Sequence, residues 1–208
     1  MSDAAVFVVE DDDALAEALA FLLESRGLAA RRFDGAEPFL RHLQDTPAWP
    51  EHPACLLLDV RLRGMSGLEL FDLLQRERPA LAAPIVFLSG HGDIRMAVDA
   101  VKRGAFDFFE KPFSDNRLAD RLIEALDESA RRIAATQGAA GVESRLARLS
   151  AREREVMDRV LDGRVNKLIA QDLGISMRTV EVHRSNVFAK MEVRSAVELA
   201  RVLAPREA

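Results

Sequence analysis

A chain of 208 residues, 49% hydrophobic and 30% charged, is long enough for one large or two small globular domains and excludes a disordered or fibrous protein. No run of about 18 apolar residues is present, which excludes a membrane-spanning helix, and the acidic start MSDAAVFVVEDDD does not read as a secretory signal. The net charge of −5 is unevenly spread. Residues 1–125 hold 14 Lys and Arg against 22 Asp and Glu, whereas residues 142–208 hold 13 against 10. An acidic front and a basic back suggest two domains with different partners, the second suited to nucleic acid. The single cysteine, Cys55, cannot close an internal disulfide and points to a reduced, cytoplasmic setting.

In chain order, Ala4–Val9 reads as a strand, and Ala14–Ser25 places Leu15, Leu19, Leu22 and Leu23 on one helical face with Gly27 as its stop. A weak strand over Leu28–Phe33 and a short helix over Ala36–Leu43 follow. Cys55–Leu58 is an apolar strand that runs into Asp59. Ser66 and Glu69 form a capping box for a helix to about Arg76. Ile85–Leu88 is a strand, Asp93–Arg103 a helix ended by Gly104, and Phe106–Phe109 a strand; Ser114 caps a helix to about Ala135. Five strand–helix units demand an α/β, doubly wound parallel sheet with helices on both faces. Residues 136–144 (TQGAAGVES) are small and polar with two glycines and read as a flexible linker. Beyond them all is helical: capping boxes at Ser150–Glu153 and Ser195–Glu198, a short helix Val165–Leu173, a turn at Gly174, and a helix capped by Ser176 that runs to about Met191.

Sites in such sheets form beyond the C-terminal ends of the strands. The polar residues that stand out all fall there: Glu10, Asp11 and Asp12 after the first strand, Asp59 after the third, Ser89 after the fourth and Lys111 after the fifth. Any one has an ordinary explanation. EDDD can complement a helix dipole, Asp59 can cap a turn, Ser89 can start a helix and Lys111-Pro112 can be a turn. Their coincidence at successive strand tips favours chemistry. Clustered carboxylates repel unless a cation joins them, and oxygen donors suit Mg²⁺. With Lys111 and Ser89 beside it, Asp59 is placed to accept a phosphoryl group.

Residues 1–125, through VVEDDD (8–13), LLLDVRLRGMSGLEL (56–70), VFLSGHGD (86–93) and FDFFEKPF (106–113), resemble the receiver domain of two-component response regulators. The resemblance implies strand order 2-1-3-4-5 and phosphotransfer to Asp59 from a sensor histidine kinase. Glu10, Asp11, Asp59 and the backbone carbonyl of Arg61 would lie around Mg²⁺, with Asp12 and Asp13 at the helix start. It also implies a switch in which phosphate draws in the Ser89 hydroxyl and pairs with Lys111, while Phe108 turns inward by packing alone. Lys111-Pro112 is expected cis, with the lysine aimed inward. The helix carrying Arg95, Met96, Val98 and Lys102 would join the fifth strand in a face for homodimerisation on phosphorylation, with Val98 and Lys102 as contacts. At Arg63-Gly64 many relatives have a proline nearby, a departure expected to loosen the loop after Asp59. His91 is a weaker candidate to touch phosphate. His42 and His52 read as surface residues, Cys55 as an apolar filler and Trp49 as loop packing.

In the C-terminal part, Val165–Leu173, Gly174 and Ser176–Met191 have the proportions of a helix-turn-helix. Val180, Val187, Phe188 and Met191 share a packing face, and the opposite face can enter a major groove. Residues 149–199, through Leu149-Ser150-Arg152-Glu153, Gly163, Asn166-Lys167, Ile169-Ala170 and Ser176-Arg178-Thr179-Val180-Glu181-His183, resemble the DNA-binding domain of the LuxR/FixJ/NarL family. The likeness implies that Glu181, Val182 and Ser185 approach base edges and that Arg178, Thr179, Arg184, Lys190 and Lys167 contact phosphates. His183 would pack or touch a phosphate.

The whole reads as a receiver (1–125), a helix extension and linker (126–144) and a helix-turn-helix domain (145–208). The function expected is a cytoplasmic transcriptional regulator, an activator, switched by phosphorylation of Asp59 and working with promoter DNA and RNA polymerase. It is no enzyme beyond promoting its own phosphotransfer and slow dephosphorylation. A phosphatase is disfavoured by the lack of a cap segment or second D-x-D pair, and a small-ligand sensor by the intact Asp59, Ser89 and Lys111 set. A constitutive DNA binder with a vestigial receiver stays open.

Overall fold

The computed structural model describes residues 4–79, 81–90 and 94–204. The chain divides into two compact units, residues 1–134 and 135–208. In the first, β1 (Ala5–Val9), β2 (Ala29–Phe33), β3 (Ala54–Asp59), β4 (Ile85–Ser89) and β5 (Asp107–Glu110) form a parallel sheet in the order β2-β1-β3-β4-β5. The apolar runs of β1, β3 and β4 are buried along their whole length, as expected where helices cover both faces of a parallel sheet.

The period-2 alternation of these strands divides the core. Phe7, Val9, Leu56, Leu58 and Phe87 pack with α2 (Ala36–Asp45), α3 (Gly67–Glu77) and α4 (Ile94–Lys102) on one face. Val6, Val8, Cys55, Leu57, Val86 and Leu88 pack with α1 (Asp13–Ser25) and α5 (Asp115–Ala147) on the other. Each fully buried aliphatic side chain contributes about 1.5–3 kcal/mol, so β3, the central strand, is well fixed and its tip is a stiff platform. Trp49 packs edge-on against Phe7 with ring centres 4.9 Å apart. His42 is not a surface residue: it stacks at 5.6 Å on Phe7 and lies 5.4 Å from Phe33. His52 is exposed and Cys55 buried.

Residues 136–144 are not a flexible linker but continuous helix within α5. Four alanines in 134–140 favour helix, and the two glycines, at about 1 kcal/mol each, are too few to break it. The division between the two units falls inside this helix, at 134/135. In the second unit Val142 and Leu146 of α5 pack against α6 (Ala151–Leu161), α7 (Asn166–Leu173), α8 (Met177–Met191) and α9 (Ala196–Leu203) around Val156, Ile169, Val180, Val187, Met191 and Leu199. Gly174 ends α7 in the left-handed region, φ 64°, and Ser176 caps α8 by accepting from Thr179 N–H at 3.1 Å. The capping boxes at Ser66 and Ser150 are complete. The one expected at Ser195 is half formed, because Glu198 accepts from the Arg194 N–H instead.

Candidate functional site

Three carboxylates meet at the tips of β1 and β3. Glu10, Asp11 and Asp59 each place an oxygen within 4.8 Å of the others. Glu10 is 3% and Asp59 6% exposed, and burial pushes the Glu10 carboxyl above its usual range although Lys111 opposes this. Lys111 reaches across from the end of β5 with its Nζ 2.7 Å from Glu10 Oε2 and 2.8 Å from Asp59 Oδ2. Burial works against its charge, but the bonds to Asp59 and Glu10 outweigh it, and the ammonium titrates above its ordinary value. The other oxygen of Asp59, Oδ1, accepts from the Arg61 N–H at 3.1 Å. Two oxygens in use on a carboxylate at the end of an all-buried strand explain how it is accommodated.

Asp12 leaves the cluster to cap α1, accepting from the N–H groups of Ala14 and Leu15 at 2.9 and 3.1 Å, as its place at the helix start suggested. Ser89 is buried at the tip of β4, and its carbonyl accepts from the Lys111 N–H at 2.7 Å. The Lys111-Pro112 peptide is cis. Phe108 is half-buried against the α2–α3–α4 face of the core. Val98 and Lys102 are exposed on α4. His91 lies outside the described residues. Glu10, Asp11, Asp59, Ser89 and Lys111 thus stand at neighbouring strand tips. Hard oxygen donors in this number are the donor set that a Mg²⁺ ion takes, so the residues fit the ion.

Two features of the pocket escaped sequence reasoning. The first is Gly67, the first residue of α3. A Cβ there would fall 2.0 Å from the Asp59 carbonyl oxygen, so only glycine lets α3 start against the tip of β3. The Ser-Gly pair was visible, but the close approach was not. The second is Arg63, whose guanidinium and N–H both bind Asp11. The loop after Asp59 is therefore held rather than loosened. Nothing in the sequence ties two residues 52 positions apart, although the missing proline marks the place.

The second unit carries the helix-turn-helix residues. Val180, Val187 and Met191 are buried and Phe188 packs beside them, which leaves Arg178, Glu181, Val182 and Ser185 exposed on α8 and Lys167 exposed on α7. Val182 is 53% exposed. Thr179 is half-buried and its hydroxyl is 2.8 Å from that of Ser176. Arg184 donates to Asn166 Oδ1 at 2.8 Å and lies over the Phe188 ring. Lys190 binds the buried Glu153 at 2.6 Å. That bond and those from Ser150 hold the Glu153 carboxyl at a pKa of about 2. Arg184 and Lys190 are thus each engaged by a partner within the helical unit. His183 is half-buried.

The response regulator receiver domain family model matches residues 6–123, and that of the bacterial regulatory proteins, luxR family, matches residues 147–203. The chain is 46% identical over 198 residues to the C4-dicarboxylate transport transcriptional regulatory protein DctR of Rhodobacter capsulatus, covering 95% of this chain and 98% of DctR. It is 44% identical over 197 residues to the transcriptional regulatory protein FixJ of Azorhizobium caulinodans, covering 95% and 90%. Among solved structures, the response regulator StyR superposes with a TM-score of 0.86 at 40% identity, covering 96% of this chain and 98% of StyR. Full-length FixJ from B. japonicum gives 0.56 at 38%, covering 97% and 96%. Strand order and the helical C-terminal unit agree with these matches: the chain belongs to the two-component response regulators, as a transcriptional regulator that joins a receiver domain to a LuxR-type DNA-binding domain.

Proposed function

We propose that Asp59 is the phosphoacceptor through which a sensor histidine kinase controls DNA binding by this chain. The observation that carries this is the position of its carboxylate, 6% exposed at the tip of β3 and bridged to Glu10 by Lys111. A carboxylate oxygen of Asp59 attacks the phosphorus of a phosphohistidine; the new O–P bond forms as the N–P bond breaks, and the imidazole leaves. Glu10, Asp11, Asp59 and the carbonyl of Arg61 would hold Mg²⁺, which supplies positive charge for the phosphoryl oxygens. Lys111, already on Asp59 Oδ2, exchanges that partner for a phosphoryl oxygen, and Ser89 donates its hydroxyl. Phe108 then repacks, and the α4–β5 face with Val98 and Lys102 pairs two copies. The phosphoaspartate is an acyl phosphate open to water, which cleaves it slowly to the Asp59 carboxylate and inorganic phosphate, so the signal decays by itself.

Residues 1–125 act as the receiver and 145–208 as the DNA reader, with 126–144 as a helical connection. Glu181, Val182 and Ser185 meet base edges, and Lys167, Arg178 and Thr179 meet phosphates. Arg184 and Lys190 hold α8 in place and contact phosphates only at the edge of the interface. Two copies engage two half-sites of a promoter element and recruit RNA polymerase, so the outcome is activation. No helix among the described residues is long and apolar enough to cross a membrane, and a regulator of this kind works in the cytoplasm. Intact-mass spectrometry after incubation with Mg²⁺ and acetyl phosphate tests the proposal. One phosphoryl group should add to the wild type and none to Asp59→Asn; a gain in both would remove Asp59 from its role.

A further inference from the structure

We propose that Arg63 sets how tightly the acidic pocket holds a divalent cation, by occupying Asp11 until the ion takes it. This rests on the cation reading of Glu10, Asp11 and Asp59 given above.

Arg63 follows Asp59 by four positions and reaches back to the loop after β1 through three bonds. Its backbone N–H and its Nε donate to Asp11 Oδ2 at 3.1 and 2.9 Å, and its Nη2 donates to the Asp11 carbonyl at 2.7 Å. A proline at this place would have neither the N–H nor the guanidinium. Lys111 takes Glu10 and Asp59 but not Asp11. Two cationic side chains therefore divide the three carboxylates between them, and an arriving ion meets no uncommitted acid. Arg63 is the one that can yield. Its side chain is 78% exposed against 17% for that of Asp11, so the guanidinium can swing into water without uncovering any core. A pair whose cation lies in water is screened at that end, which makes it a competitor of the ion rather than a block.

The rest of the loop stays anchored when the guanidinium leaves. Glu37, in the first turn of α2, accepts from the Met65 N–H at 3.2 Å. Gly64, at φ 77°, runs so close to Glu37 that a Cβ there would be 2.8 Å from its carboxylate. The exchange at Asp11 is thus confined to one side chain. Arg63 is a positioning residue whose charge raises the Mg²⁺ concentration at which the pocket fills.

Isothermal titration of the full-length chain with MgCl₂ at fixed ionic strength tests this, using wild type, Arg63→Met, Asp11→Asn and Arg41→Met, the last removing an exposed charge on α2. Arg63→Met should bind Mg²⁺ about five- to tenfold more tightly than wild type, while Arg41→Met should change the affinity by less than about twofold. Thermal melts provide a readout that a purely structural role would not move. In EDTA the Arg63→Met midpoint should equal or fall below that of wild type, yet the rise on adding Mg²⁺ should be larger. Unchanged or weaker Mg²⁺ binding by Arg63→Met, with Asp11→Asn still losing affinity, would overturn the role of Arg63 and leave the cation site intact. Absence of Mg²⁺ binding by every variant, wild type included, would overturn both.

Discussion

At the tips of β1, β3 and β5, Lys111 and Arg63 are each held by carboxylates that an ion or a phosphoryl group would claim. On α8, Lys190 and Arg184 are held by Glu153 of α6 and Asn166 of α7, partners within the same helical unit. On the reading proposed above, the receiver pocket keeps its charges in exchangeable pairs, whereas the DNA-binding unit pairs part of its charge internally and leaves Lys167 and Arg178 exposed on the surface. A site that must change state is built from interactions with alternatives. A surface that must present one shape is built from interactions without them.

The largest expected effect tests the stiffness of the platform on which the exchangeable pairs stand. Gly67→Ala forces a Cβ onto the Asp59 carbonyl, and the start of α3 must move. Chemical denaturation should show a loss of about 2–3 kcal/mol, and Mg²⁺ affinity should fall with it. A loss below about 0.5 kcal/mol would mean that the tip of β3 yields easily.

The next effect concerns the internal pair. Glu153 is held well below the ordinary carboxylate value of 4.5, at about 2, by Lys190 first and by Ser150 after it. With the folded value depressed, the stability it provides is fully present above about pH 4.5 and is lost as pH falls from there toward 2. Glu153→Gln or Lys190→Met should cost about 1–2 kcal/mol at neutral pH and flatten the acid limb of the stability curve. Lys167→Ala and Arg178→Ala should instead leave stability within about 0.5 kcal/mol. They should weaken binding to all DNA sequences and reduce the salt slope by about one unit. If Lys190→Met behaved like Arg178→Ala, the distinction between framework and reading charges would fail.

Much of this was legible in the sequence because it is local or periodic. Apolar runs ending in polar residues located the strand tips, capping boxes placed α3 and α6, and 3.6-residue spacing found the packing face of α8. What escaped was tertiary. The bond from Arg63 to Asp11 spans 52 residues, and Gly67 is demanded by a backbone that only the fold brings near. Polarity suggested a surface place for His42, but its ring face is apolar enough to stack among Phe7, Phe33 and Phe39. Small and polar residues at 136–144 suggested a flexible linker, yet alanine content and helix on either side carry α5 through them.

The central claim is that a phosphoryl group on Asp59 changes how residues 145–208 meet DNA. Footprinting of the full-length chain on total genomic DNA of its host, with Mg²⁺ and with or without acetyl phosphate, tests it most directly. Paired half-sites should become protected at about tenfold lower concentration of phosphorylated wild type, with no such shift for Asp59→Asn. Identical protection with and without the phosphodonor, in a sample shown by mass to be phosphorylated, would contradict the account.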